Sequence, residues 1–479
     1  MLPQNVIAST RSVKMGSHRS AATRLPQPVV FHVCLIVVKL RESSYGHWRD
    51  GAARYTGGIG MFLFRSKSIA WVILLFGCAF ASAQQGEDDI SVPERAFVAT
   101  KIYSMLDACF AHRDGIPGFD MDAAYRAYLT KALAANDRCA FDLATLEFVA
   151  RFRNKHTQFN DQWFNRKCGQ PLGFGALPVD GKWVIMWASH ERLRKGDVIR
   201  SIDGTAITTF VDNNIKYIAA SSERGRLNLV FDRPYLFAQR FSVELADGRS
   251  ILIDRADSGR VPVQSGGEPA SQGRWLRNNT IFYIRIPAFN NGAFESTAIE
   301  LVKKHRDAKS LIVDVRGNGG GKTPYDLIGQ LMDREWRTWT TSTPIQIALH
   351  TARGNPRTQL RLDCEKFQPQ SASYKGRLIL LVDRFTCSAC EDFVMPFKLN
   401  GRAEIVGEAT EGSSGQPYFL DFGNGMSFMV GAARHTFPDG SPFESIGILP
   451  TFPVDLHVDD LKNGIDPVLA KAQRIVELP

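Results

Sequence analysis

The sequence lacks an excess of charge of either sign over most of its length. Its 479 residues include 58 Lys and Arg against 49 Asp and Glu, but ten of these basic residues and two of the acidic ones fall within residues 1–83. The remainder therefore holds 48 basic and 47 acidic residues, with no basic cluster. A nucleic-acid-binding protein needs such a cluster on its folded part, so the composition argues against a nucleic-acid partner.

The sequence also lacks a hydrophobic run long enough for a comfortable membrane span. Its most apolar stretch, residues 69–80, is much shorter than the roughly 20 residues that a spanning helix requires. Arg65 and Lys67 precede the stretch and Ala81-Ser82-Ala83 follows it. This is the pattern of a secretory signal peptide over residues 61–83, with an N-terminal anchor helix as the alternative.

We therefore expect an exported protein, periplasmic or secreted, whose mature chain begins at Gln84 and contains no membrane span. Leu75-Phe76-Gly77-Cys78 loosely resembles a lipobox, so a lipoprotein attached through Cys78 is a second possibility. Residues 1–60 show no periodicity and precede Met61, and we interpret them as an over-extended reading frame.

An even number of cysteines remains after residue 83, and in an oxidising compartment they can form disulfides. The six allow 15 complete pairings, of which Cys109 with Cys139 is weakly favoured because both lie in one small helical region. Cys387 and Cys390 form a CxxC, which suggests a thiol oxidoreductase, but no thioredoxin-like βαβ pattern surrounds them. A bridge from either one to Cys364 would instead make them structural. The six are Cys109, Cys139, Cys168, Cys364, Cys387 and Cys390.

The character of the sequence changes three times after the signal peptide. Residues 84–165 show helical spacing of apolar residues, and residues 166–255 read as short strands and turns. Residues 256–277 are rich in Ser, Gly and Pro and predict a linker. Strands alternate with helices in residues 278–479, which favours a largely parallel α/β core.

The first chemically suggestive segment is Leu378–Asp392, in which a buried strand, a turn and a helix follow one another. Ser388 would lie at the positive end of that helix, beside unpaired backbone N–H groups that favour an attacking oxygen and an oxyanion. The same residues, Ser388 and Glu391, also fit an ordinary capping box. The motif alone does not separate these two interpretations.

The second segment is Leu311–Gly321, where another buried strand runs into a turn of glycines. Consecutive glycines allow close backbone approach and present N–H groups to an anion. A phosphate-binding loop is the alternative, because Lys322-Thr323 follows, but the leading glycine of that motif is missing at the required spacing.

Together these segments resemble the C-terminal-processing (tail-specific) serine peptidases. Five motifs of that family occur in order: Asp314–Gly321, Ser388–Glu391, Gly407–Gly412, Pro438–Gly440 and Glu444–Pro450. The resemblance implies a crotonase/Clp-like α/β protease core and a serine-type peptidase that hydrolyses peptides or protein C-terminal regions. It implies neither a metal nor an organic cofactor, and it leaves the oligomeric state open.

The resemblance extends to Leu193–Gly204, which looks like the end of a PDZ domain. Gly173, Phe174 and Gly175 would then form the loop that receives a peptide carboxylate. In PDZ domains an extended peptide adds to a sheet edge while backbone N–H groups hold its terminus. The alternative is a generic turn between two strands.

One departure from the family concerns the general base. Much of the family has a lysine where this chain has Ser413, and a neutral serine cannot serve as base. The branch that resembles tricorn protease and the retinoid-binding repeat proteins instead uses a histidine before the PDZ-like region and a glutamate after the P-D-G motif. His156 and Glu444 occupy those places, and His435 is the rival base.

The resemblance therefore implies a Ser388/His156/Glu444 mechanism, with oxyanion donors at Gly320 and Ala389. A histidine base with an ordinary pKa of about 6.5 predicts activity that rises through pH of about 6–7. The alternative function, supported by the loss of lysine at position 413, is a non-catalytic peptide- or lipid-binding protein on the same fold.

Overall fold

The computed structural model describes residues 89–256, 270–277, 279–354 and 358–477. The predicted signal peptide, its cleavage site, Cys78 and residues 1–60 lie outside these residues. No helix among the described residues combines the length and apolar character that crossing a membrane requires.

The first region is helical, as its apolar spacing predicts. An aspartate caps each of the second, third and fourth helices, accepting a hydrogen bond from a backbone N–H in the first turn. The apolar faces of the first three helices form one core cluster, to which the last part of the chain contributes Met426, Phe428 and Val430. The elements are α1 (Val92–Cys109), α2 (Met121–Leu133), α3 (Arg138–Ala150), β1 (Gln158–Asp161) and α4 (Gln162–Cys168).

The second region is an antiparallel sheet with two short helices. Its strand order is β2-β3-β4-β6-β7, with β5 paired to β4, so β2 lies at an edge. The elements are β2 (Phe174–Val179), β3 (Lys182–Ala188), β4 (Val198–Ile202), β5 (Thr205–Ala206), α5 (Ile207–Asn214), α6 (Glu223–Asn228), β6 (Arg240–Leu245) and β7 (Ser250–Asp254).

The third region alternates strands and helices around a central sheet. Its elements are β8 (Gln272–Leu276), β9 (Ile281–Arg285), α7 (Gly292–Lys304), β10 (Ser310–Asp314), α8 (Tyr325–Leu331), β11 (Trp336–Arg337), β12 (Thr340–Ile345), α9 (Ala348–Ala352), β13 (Thr358–Leu362), β14 (Lys366–Phe367), β15 (Arg377–Val382), α10 (Ala389–Leu399), β16 (Glu404–Gly407), β17 (Tyr418–Asp421), β18 (Met426–Val430), β19 (Arg434–Thr436), β20 (Phe452–Pro453), α11 (Val458–Asn463) and α12 (Pro467–Val476).

The central sheet has the order β20-β16-β15-β10-β9-β8 and is parallel apart from β8. All five residues of β10 are buried, since helices α7, α8 and α10 pack on one face and α12 on the other. The predicted mixed α/β fold class is therefore confirmed. One detail differs from prediction: residues 272–276, expected in the linker, form β8, whose pairing with β9 overrides their polar composition.

A small sheet of order β1-β18-β17 joins the helical region to the last region. Phe159 of β1 lies opposite Phe428 of β18 in antiparallel register. This pairing fixes the chain just after α3 against the third region. The loop between α3 and β1, which contains His156, is consequently held next to the central sheet.

Candidate active site

The site lies where β10 and β15 end. Because the two strands are parallel neighbours, the loops that follow them meet at one edge of the sheet. The Cys387 N–H donates to the Asn318 carbonyl at 3.1 Å, which ties the loop before α10 to the glycine loop. The two segments singled out in the sequence are thus brought together.

Ser388 is the N-cap of α10 and has a positive φ of 57°. A non-glycine residue in this region is strained, and such strain is found at functional sites that expose a side chain at a sharp turn. The Ser388 N–H donates to Glu391 Oε2 at 3.0 Å, so the carboxylate of the predicted capping box is in place. The Ser388 hydroxyl is directed elsewhere, toward the helical region.

Its partner is His156. The His156 Nε2 lies 3.1 Å from Ser388 Oγ, and Nδ1 lies 3.0 Å from Ser413 Oγ. Gly415 packs against the ring so closely that a Cβ there would lie 2.4 Å from His156 Cγ. The imidazole is therefore held between two hydroxyls, with the orientation that a base for Ser388 requires.

The electrostatic surroundings keep His156 uncharged. Burial, the neighbouring Lys155 ammonium and His435 lower the pKa of His156 to about 4. Burial also acts to lower the pKa of Lys155, but Cys387, Glu411 and Glu391 outweigh it and leave that pKa raised. Lys155 thus stays cationic at neutral pH and cannot replace the missing family lysine as a base, whereas neutral His156 can accept a proton.

Glu444 approaches His156 through two serines. Ser413 Oγ lies 2.8 Å from Ser221 Oγ, which in turn lies 3.1 Å from Glu444 Oε1. The other carboxylate oxygen accepts from the Ser414 N–H at 3.1 Å and from its hydroxyl at 2.8 Å. The expected orientation of His156 by Glu444 is therefore indirect.

The Glu444 carboxylate is buried, and burial raises its pKa to about 7 against the opposing hydrogen bonds of Ser414 and Ser221. Asn154 Nδ2 donates to Oε1 at 3.2 Å, and His112 Nδ1 lies 3.6 Å from the same oxygen. Burial lowers the pKa of His112 to about 3, so this second imidazole is neutral beside the carboxylate.

The oxyanion side is formed by the glycine loop and the start of α10. Gly320 has φ of 97°, and a Cβ at this position would lie 2.9 Å from Ser388 Cβ, so only glycine fits. The Gly320 N–H donates to Asn318 Oδ1 at 2.9 Å and is therefore engaged. Within the described residues, the N–H groups of Ala389 and Gly321 have no hydrogen-bond partner, and both residues line a cavity of about 120 Å³ beside Ser388.

His435, the rival base, lies on β19 and lines the same cavity. The His435 ring stacks on Trp339 with centroids 5.6 Å apart, and the His435 backbone N–H donates to Ser414 Oγ at 3.1 Å. The structure thus brings Ser388 Oγ to His156 and assigns His435 to the cavity wall.

The predicted peptide loop lies at the start of β2. Gly173 has φ of 78°, and its carbonyl accepts from the Ser189 N–H at 2.8 Å. The Phe174 side chain is buried, and a Cβ at Gly175 would overlap the Trp187 indole at 2.5 Å. These residues occupy the edge of the antiparallel sheet, where an extended peptide could add a strand.

The CxxC pair does not have the environment of a redox site. Cys387 and Cys390 are 2% and 0% exposed, and burial raises the pKa of both thiols. A thiol oxidoreductase needs an accessible cysteine of lowered pKa, so the thiol oxidoreductase interpretation loses its support. The described residues also contain no group of three or more His, Cys, Asp or Glu side chains placed to hold a metal ion.

Several residues of the site were not singled out from the sequence for these positions. Ser221 lies in the second region and has no motif around it, and Asn154 and His112 precede the predicted histidine without a recognisable spacing. Ser413 was noted only as a missing lysine.

Comparison with known proteins agrees with these motifs. Residues 280–454 match the model of peptidase family S41. The chain is 24% identical over 270 residues to the chloroplastic C-terminal processing peptidase of Tetradesmus obliquus. This alignment covers 55% of this chain and 54% of that protein. It is 27% identical over 173 residues to a carboxyl-terminal-processing protease of Synechocystis sp., covering 36% and 37%. The matches thus span about half or less of these relatives.

Among solved structures, mature CPAF complexed with lactacystin aligns with a TM-score of 0.63 at 13% identity, covering 80% of this chain and 98% of that one. At this identity the likeness concerns the fold alone. All five motifs lie within the residues that the family model matches. Residues 280–454, which hold Ser388 and the glycine loop, are therefore similar to peptidase family S41 in both sequence and fold.

Proposed function

We propose that the protein is an exported serine endopeptidase that cleaves peptides or protein C-terminal regions through an acyl-enzyme. The observation that carries the proposal is the 3.1 Å contact between Ser388 Oγ and His156 Nε2 at the N-terminus of α10. A hydroxyl nucleophile beside a neutral imidazole, with free backbone N–H groups alongside, is the arrangement that acyl transfer needs.

The first step is attack by Ser388 Oγ on the scissile carbonyl while His156 Nε2 takes the serine proton. The tetrahedral intermediate then collapses, and His156 returns the proton to the leaving amine, which leaves an acyl ester on Ser388. Water attacks this ester with His156 again acting as base, and Ser388 departs as the acid product forms. Bonds and protons balance without a metal or an external cofactor.

A chain of hydroxyls lets Glu444 act on His156 over two intervening residues. The Ser221 hydroxyl contacts both Ser413 Oγ and Glu444 Oε1 but carries one proton. When that proton is donated to the carboxylate, Ser413 donates to Ser221 and accepts from His156 Nδ1–H, so every contact is satisfied. This polarity fixes the tautomer in which Nε2 is free to accept. The imidazolium that forms during the reaction is then stabilised along the same chain by the carboxylate.

Two backbone N–H groups are suited to hold the oxyanion. Ala389 lies at the first position of α10, where the N–H is unpaired and the helix dipole is positive. From the sequence the second donor is expected at Gly320, but because that N–H donates to Asn318 Oδ1, we assign the role to the neighbouring Gly321 N–H. Gly320 serves by allowing the loop to pass against Ser388.

For substrate recognition we propose that the second region acts as a PDZ-like module. Its support is the position of β2 at the edge of the sheet, with Gly173, Phe174 and Gly175 at the start of the strand. A C-terminal peptide segment would extend the sheet there by main-chain hydrogen bonds. Export is proposed on the signal-peptide pattern of residues 61–83 alone.

A binding protein without catalysis is the second candidate, and Ser413 in place of the family lysine favours it. Ser388→Ala separates the two. We expect this variant to retain its fold and its affinity for peptides with a free C-terminus while losing peptide hydrolysis by at least about 10³-fold. Hydrolysis would be followed with a fluorogenic peptide, binding by fluorescence anisotropy and folding by circular dichroism.

Asn400→Ala is a matched control, because Asn400 ends α10 at the far end from Ser388. Hydrolysis that survives in Ser388→Ala overturns the mechanism. Binding without hydrolysis in the unsubstituted protein supports the non-catalytic alternative.

A further inference from the structure

The helical region contains two cysteines whose thiols touch. Cys139 is the second residue of α3 and Cys168 is the last residue of α4. Their Sγ atoms lie 3.6 Å apart, and both residues are half-buried. The pairing that the sequence weakly favours, Cys109 with Cys139, is therefore not the one that the fold brings into contact.

The backbone around this pair is held in place by charged contacts. Arg138, which precedes Cys139, donates from Nε to Asp161 Oδ2 at 2.6 Å, and Asp161 caps α4. The Arg255 guanidinium donates to the Cys168 carbonyl at 2.7 Å. The contact between Arg138 and Asp161 fixes the two helices relative to each other, and bond formation requires the sulfurs to approach from 3.6 Å to about 2.05 Å.

We propose that Cys139 and Cys168 form a disulfide when the chain reaches an oxidising compartment. The two thiols lose two protons and two electrons as the sulfur–sulfur bond forms. The electron acceptor is the disulfide of a thiol–disulfide oxidoreductase or of a small molecule, which is reduced to two thiols.

Burial and the neighbouring Cys168 raise the pKa of Cys139 to about 12, so spontaneous exchange through its thiolate is slow.

The other cysteines of the described residues lack this arrangement. Cys387 and Cys390 are buried within the third region, and Cys109 and Cys364 are half-buried without a sulfur partner within the described residues. A single bridge between Cys139 and Cys168 is therefore the expected pattern, and the other four thiols stay reduced.

The bridge has a consequence for the site, which rests on the proposed function. Residues 139–168 contain His156, and a bond between Cys139 and Cys168 closes this segment into a loop. The loop comprises most of α3, the turn that carries His156, β1 and α4. The disulfide would restrict the unfolded chain and keep both ends of the histidine-bearing segment in place.

Non-reducing peptide mapping by mass spectrometry tests the bridge. The protein would be folded in the presence of a glutathione couple and a protein disulfide isomerase, alkylated, digested and analysed. We expect one cross-linked peptide pair joining Cys139 to Cys168, with alkylated Cys109, Cys364, Cys387 and Cys390. Alkylation of Cys139 and Cys168 under these conditions, or a bridge from either to another cysteine, overturns the proposal.

Thermal unfolding gives a second readout. Reduction should lower the midpoint temperature of the unsubstituted protein by roughly 3 °C or more. The Cys139→Ser/Cys168→Ser variant should show no such response, whereas the matched control Cys109→Ser/Cys364→Ser should respond fully. An equal response in both double variants contradicts the assignment.

The bridge and the peptidase function can fail separately. A Cys139–Cys168 bridge in a protein that hydrolyses no peptide leaves the disulfide standing and removes the proposed function. Full activity together with free Cys139 and Cys168 thiols supports the proposed function and removes the disulfide.

Discussion

The two sides of the candidate site come from parts of the molecule that are built differently. Ser388 follows a parallel strand that is buried after its first residue, and it caps the next helix, so its position is decided by residues close to it in sequence. His156 lies 232 residues earlier and reaches Ser388 because β1 pairs with β18. The nucleophile is thus a local feature of the sheet, whereas its base depends on docking of the helical region.

Two glutamates beside the site, Glu391 and Glu444, repeat this contrast. Glu391 supports the nucleophile side, accepting N–H groups of Ser388, Gly412 and Ser413, and burial raises its pKa to about 8. Glu444 supports the base side through Ser221 and Ser413, and its pKa is raised to about 7. The Glu391 carboxylate holds the backbone around the attacking residue, and we propose that the Glu444 carboxylate orients and stabilises the imidazole.

The largest effect should come from removing the base. His156→Ala leaves Ser388 without a proton acceptor, and we expect kcat/KM to fall by about 10³-fold or more, which corresponds to about 4 kcal/mol of transition-state stabilisation. His435→Ala, the matched histidine control, should retain most of the activity, since that ring stacks on Trp339. Steady-state kinetics on a fluorogenic peptide measures both; the opposite ranking would make His435 the base.

The next effect concerns Glu444 and depends on pH. His156, with a pKa of about 4, is already neutral above pH of about 5, whereas Glu444 with a pKa of about 7 is neutral below that value and negative above it. Only the negative carboxylate stabilises the imidazolium, so activity should rise with pH through about 7. This rise in activity, caused by ionisation of Glu444, replaces the rise through pH of about 6–7 that a histidine of ordinary pKa predicts.

Glu444→Gln should remove this rise of activity with pH. We expect its activity to fall about 10²-fold below that of the unsubstituted protein at pH 8 and to approach it near pH 5. A pH profile of kcat/KM between 4 and 9 measures this. A variant that is reduced equally at every pH would give Glu444 a purely structural role.

The smallest effect should come from the connecting hydroxyls. Ser413→Ala removes the acceptor of the His156 Nδ1–H, and we expect about a 10-fold loss of kcat with little change in KM. Ser413→Thr keeps the hydroxyl and should restore much of the rate, which a merely structural role would not require. Unchanged kcat in Ser413→Ala would mean that His156 is oriented by other contacts.

The same contrast explains which parts of the molecule could be predicted from sequence. β10 and β15 are continuous apolar runs, and each is followed by glycines or by the start of a helix. The apolar pattern and the residues that end each run therefore predict both strands and the nucleophile. The position of His156 came from resemblance, because no local rule shows that β1 will pair with β18. The sequence does not predict the serine chain, since Ser221 and Ser413 become neighbours only when the second and third regions assemble.

The partnership of Ser388 with His156 is tested most directly by a fluorophosphonate probe, which reacts with a serine only when a base activates it. The adduct would be located by peptide mass spectrometry and its rate of formation followed in the unsubstituted protein, His156→Ala and His435→Ala. We predict a single adduct at Ser388, formed at similar rates in the unsubstituted protein and His435→Ala and at least about 10²-fold more slowly in His156→Ala. An adduct at another serine, or equal rates in the unsubstituted protein and His156→Ala, would contradict the account.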